Sequence, residues 1–110
     1  EEIFPADPPR FLARIPHGYS DPEVIARHLA EGGFAGKPTQ TTLAARSRAA
    51  SPVIPAIAYC QGTPLRSEIE ARNAVRLLEA TALATAAISN RFGHGAVDGK
   101  IQAHIFVAEQ

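Results

Sequence analysis

The stretch "KIQAHIFVA", Lys100–Ala108, decides how the rest of the chain is read. Ile101, Ala103, Ile105 and Val107 fall on one face of a strand, and Phe106 and Ala108 on the other. A strand with one wet face alternates apolar and polar residues; one that is apolar on both faces belongs inside a sheet covered on both sides. Thr39–Arg46, "TQTTLAAR", is the second strand candidate, with Thr39, Thr41, Leu43 and Ala45 on one face. One partner strand does not make an interior. The Lys100–Ala108 strand therefore implies a sheet neighbour that this chain does not supply, and an unpaired apolar edge tends to pair with another chain.

Working outward, the region between the strands reads as helical. Ser51 and Pro52 open a helix through Gln61, with Gly62 as its stop; Pro55 weakens it by lacking an N–H. Thr63-Pro64 restarts a helix with Leu65 and Ile69 on one face and Glu68 and Arg72 paired at i,i+4. Asn73 caps the longest helix, Ala74–Phe92, which ends at Gly93. Its small polar residues Thr81, Thr85 and Ser89 form a stripe; Val75, Leu78, Ala82 and Ala86 are its core candidates. Before the first strand, "PHGYSDPE" is turn chemistry followed by a helix, Asp21–Glu31, with Ser20 and Glu23 at capping-box spacing. Gly32-Gly33 ends it, and Phe34 folds back over its C-terminus. Glu1–Arg10 is a proline-rich loop, and Phe11–Ile15 a short extended segment.

The totals bound the function. A chain of 110 residues is at most one domain, and its 45% apolar share is that of a globular protein. Eleven basic residues balance eleven acidic ones, which excludes a nucleic-acid footprint built on basic excess. No apolar run reaches the roughly 20 residues of a membrane span, and no signal peptide is visible. One cysteine allows no internal disulfide and fits a reducing, cytoplasmic compartment. The chain has no methionine and begins with Glu1, so we expect a piece of a longer protein.

Candidate chemistry is sparse. The glycines of "FGHGAVDGK" follow a helix and precede a strand, the reverse of a phosphate-binding loop, so they read as a turn. His17, His28, His94 and His104 have no second ligand at metal spacing, and no metal site is expected. His28 and His104 read as packed or solvated residues. His17 and Tyr19 share a tight turn, which is either a plain turn or a contact to a pocket. Cys60 lacks a nearby base, so it reads as a core or pocket-wall residue rather than a nucleophile. Gln61 and Thr63 flank a helix break and Arg66 follows in the next helix's first turn; the three orient a ligand carbonyl or carboxylate, or form an ordinary helix–helix turn with a surface Arg.

Three segments carry a family resemblance: "PPRFLARIPHGYSDPEVIARHLAEGGF", "ARSRAASPVIPAIAYCQGTPLRSEIEAR" and the closing "GKIQAHIFVA". Together they resemble the C-terminal part of class I S-adenosylmethionine-dependent methyltransferases of the ubiquinone-biosynthesis-like (type 11) group. The resemblance covers nearly the whole chain. It implies an α/β, Rossmann-like sheet of which this chain, α+β in isolation, is the C-terminal part. Helix 21–31 is then the last crossover helix, strands 39–46 and 100–108 the closing antiparallel pair, and 51–92 a helical insertion on the substrate side. The family's glycine-rich loop and ribose-binding acid match nothing here. The resemblance thus implies that S-adenosylmethionine binds the full-length protein and not this chain alone, and it carries no catalytic residue over. The expected partners are a small-molecule methyl acceptor and either a second copy or the chain's own N-terminal half. His17, Tyr19, Tyr59, Gln61, Thr63 and Arg66 are the expected acceptor contacts. A different class is a self-standing dimeric α+β module that binds a small apolar ligand without catalysis.

Overall fold

A computed structural model describes all 110 residues. Its elements run α1 (Phe11–Arg14), α2 (Pro22–Glu31), β1 (Thr39–Ala49), α3 (Val53–Gly62), α4 (Leu65–Asn73), α5 (Leu77–Phe92) and β2 (Val97–Val107). Single 3₁₀ turns lie at Pro16–Gly18 and Ala74–Arg76. The class is mixed α+β, with β1 and β2 as one two-stranded sheet. Thr42 meets His104 and Arg46 meets Asp98, so the partner number falls as the chain advances and the pair is antiparallel.

The chain divides into two compact units, one of residues 1–11 and 46–99, the other of residues 12–45 and 100–110. The first is the helical unit. Ala56 and Cys60 stand four residues apart on one face of α3 and are buried. Pro52 just before α3, Ile69 of α4, Thr81 of α5 and Val97 at the start of β2 complete the buried set. Burying a side chain such as Ile69 contributes about 1.5–3 kcal/mol. Pro55 is tolerated because it is the third residue of α3, where the N–H has no intrahelical acceptor. Asn73 caps the turn leading into α5 by accepting from the Val75 N–H at 3.2 Å.

The packed face of α5 differs from the one its apolar residues predict. Val75 is 89% exposed and Leu78 75% exposed, and Ala82 and Ala86 are also on the outside. The small polar stripe faces in instead. The Thr81 hydroxyl donates to the Leu77 carbonyl at 2.9 Å, and the Thr85 hydroxyl to the Thr81 carbonyl at 2.8 Å. Each hydroxyl is thereby satisfied within its own helix, and the small side chains let α3 approach closely.

The second unit holds α2 and the far halves of the strands, and none of its residues is fully buried. Asp21, not Ser20, caps α2: its carboxylate accepts from the Glu23 N–H at 2.9 Å. At the other end Gly33 takes φ 96°, the Gly33 N–H donates to Ala30 and the Phe34 N–H to Leu29, closing the helix with Phe34 folded back. Phe11–Arg14 is a helical turn rather than an extended segment, because Leu, Ala and Arg favour helix. β1 runs three residues beyond the predicted end and β2 starts three residues before its predicted start. The added residues are held by the Arg46 and Arg48 side chains, which donate to Asp98. The β2 face expected to be interior is open: Ile101 and Ile105 are exposed and Val107 is 56% exposed, with Leu43 of β1 61% exposed.

Candidate functional site

Each unit carries a sizeable cavity, and the residues singled out from the sequence divide between the two units. In the second unit a cavity of about 370 Å³ is walled by Pro16, His17, Tyr19, Ile25, Gln102 and His104, among others. The turn that presents His17 and Tyr19 is tight. The Gly18 N–H donates to Ile15 at 2.8 Å, the Tyr19 N–H to Pro16 at 3.1 Å, and a Cβ on Gly18 would collide with the Ala13 backbone. Only glycine fits that approach.

Two histidine hydrogen bonds fix the polar groups of this unit. The Tyr19 hydroxyl and His28 Nδ1 lie 2.7 Å apart with their rings stacked at 5.7 Å. The Thr42 hydroxyl and His104 Nδ1 lie 2.8 Å apart. With the proton on Nε2 of each imidazole, the hydroxyls donate to Nδ1. His104, read from the sequence as a packed or solvated residue, borders the same cavity as His17. No spacing rule links positions 17 and 104; the strand β2 brings the second one there.

In the helical unit the polar residues of "YCQGTPLR" are largely committed to bonds within and between the helices. The Gln61 amide donates to the Thr81 hydroxyl at 3.0 Å, tying α3 to α5. The Thr63 hydroxyl donates to the Tyr59 carbonyl at 2.6 Å and accepts from the Leu65 N–H at 3.2 Å, sealing the α3–α4 junction. Arg66 pairs with Glu70 at 2.8 Å one turn later. Tyr59 is exposed. These side chains do not converge on one cavity. Cys60 does line one, but burial pushes its thiol up, against a smaller opposing pull from the Thr81 hydroxyl. A raised thiol with no adjacent base is a poor nucleophile at neutral pH.

The helical unit's cavity, about 450 Å³, lies between α4, α5 and the N-terminal segment, with Ile3, Phe4, Leu65, Ile69 and Leu83 on its walls. Two arginines with no such role in the sequence reading hold that segment. Arg72, expected only to pair with Glu68, also donates to the Asp7 carbonyl at 2.7 Å and to its carboxylate at 3.2 Å. Arg76 donates to the Ile3 carbonyl at 2.9 Å and sits over the Phe4 ring. Nothing in the local pattern signals a bond spanning 65 or 73 positions. No group of three His, Cys, Asp or Glu side chains is placed to hold a metal ion, and no helix is long and apolar enough to cross a membrane. Comparison with protein-family models, with characterised proteins and with solved structures finds no match.

Proposed function

We propose that this chain is the C-terminal, acceptor-side segment of an S-adenosylmethionine-dependent methyltransferase, whose cofactor site lies in a Rossmann-like N-terminal half. The order of elements carries the reading. Helix, strand, helical insertion and antiparallel return strand follow one another at 22–31, 39–49, 53–92 and 97–107, the succession that the family resemblance implies. The uncovered apolar face of β2 supports it further, since the helices that flank a Rossmann-like sheet would cover that face.

Methyl transfer is an in-line displacement at the sulfonium methyl. The protein's share is to hold the acceptor atom close and aligned, and to keep water away. In this reading His17 and Tyr19 contact the acceptor through the cavity they wall, joined by His104. Tyr59, in the helical unit, is exposed and lines neither cavity. Gln61, Thr63 and Arg66 serve indirectly, by fixing how α3, α4 and α5 meet. The test is kinetic. In the full-length protein, His17→Ala and Tyr19→Phe raise the acceptor KM about tenfold with thermal stability nearly unchanged. Unchanged KM in both variants removes them from the acceptor site.

A further inference from the structure

Residues 1–9 contain Pro5, Pro8 and Pro9 and form neither helix nor strand, yet they are held at two points. Arg72 grips Asp7 through both its carbonyl and its carboxylate. Arg76 grips the Ile3 carbonyl and covers Phe4, its guanidinium 5.8 Å from the ring centroid. Arg76 is itself oriented by Glu79, which meets it through two 2.7 Å bonds. That planar, two-pronged grip is one lysine does not reproduce.

Beneath this segment lies the cavity of about 450 Å³, within the range of small-molecule sites. Ile3 and Phe4 form its roof. Leu65, Ile69 and Leu83 form walls, and alanines of α5, Ala84 among them, leave the space open. No lysine, arginine or histidine lines it, and the only charged residues on its lining are Glu1 and Glu2. An anion entering it would lose its hydration and meet carboxylates. An uncharged apolar molecule loses only contact with water.

We propose that residues 1–9 are a strap closing a binding site for an uncharged, ring-sized apolar ligand in the helical unit, with Arg72 and Arg76 as its two latches. The ligand displaces poorly held water beneath the strap, and the latches set how fast it enters and leaves. This site stands whether or not the chain serves a methyltransferase, because binding needs no methyl donor.

The experiment titrates the protein with the neutral fluorophore N-phenyl-1-naphthylamine, without S-adenosylmethionine. The expected result is saturable one-to-one binding, weakened at least about tenfold by Ala84→Phe, which fills the cavity. Arg72→Ala combined with Arg76→Ala speeds probe dissociation about tenfold and speeds tryptic cleavage after Arg10. The sulfonated analogue 1-anilinonaphthalene-8-sulfonate binds at least about tenfold more weakly. In the unsubstituted protein, bound probe slows alkylation of Cys60, which keeps the proposal falsifiable should Ala84→Phe fail to fold. Unaltered affinity in a folded Ala84→Phe variant, or unprotected Cys60 at saturating probe, overturns the site. Unaltered dissociation in the double arginine variant overturns the strap, and equal affinity for the sulfonate overturns the ligand class.

Discussion

Cys60 and Gln61 are adjacent in sequence and have opposite uses. Cys60 is buried and its thiol is raised by desolvation, so the folded state favours the protonated form. Alkylation by N-ethylmaleimide at pH 8 is therefore expected to run far more slowly in the folded protein than in denatured chain; equal rates would contradict the buried-thiol reading. The sign for stability follows. A folded-state value above the unfolded one stabilises the protein below the unfolded thiol's titration and loses that contribution as pH rises beyond it. Gln61 is a fastener. Gln61→Ala removes the bond to Thr81 and is expected to cost about 1 kcal/mol, read as a lower Tm, with little effect on any ligand.

Between β1 and β2, Asp98 binds Arg46 through the Nε and, by its carbonyl, the Nη2, and it also binds Arg48. The guanidinium groups, Arg46 first, hold the Asp98 carboxyl below the usual carboxylate range. A lowered folded-state value contributes stability above the unfolded carboxylate's titration and loses it as pH falls through the lowered value. Amide protection across 46–48 and 97–99, taken relative to the unfolded-chain exchange rate at each pH, is thus expected to fall below about pH 4, and Asp98→Asn to flatten that response. A pH response that survives Asp98→Asn would assign it to another group. The elements themselves were largely legible: caps, prolines and glycines mark α2, α3, α4 and α5 within a few residues. The facing of α5 was not, since helical periodicity names two candidate faces and back-bonded threonines made the polar one packable. The strap was not legible either, because Arg72 and Arg76 find partners near the opposite end of the sequence. At the candidate site, the turn placed His17 and Tyr19 together, whereas His104 joins them only through the strand pairing.

At the scale of the whole molecule, what is left uncovered matters most. The second unit has no buried residue, and a two-stranded ribbon with one helix is marginal in water. Leu43, Ile101, Ile105 and Val107 stand exposed on strands with unpaired outer edges. The isolated 110-residue chain is expected to be a dimer or larger at tens of micromolar in light scattering. A stable monomer would show that these faces need no cover. Under the proposed methyltransferase reading, strands of a Rossmann-like N-terminal half pair with the open edges, its helices cover these faces, and that half brings the cofactor. Titration calorimetry with S-adenosylmethionine tests it most directly, comparing residues 1–110 with the longer protein that includes the sequence encoded upstream. The account predicts one-to-one binding by the longer protein and none by residues 1–110; binding by residues 1–110 alone, or by neither, would contradict it.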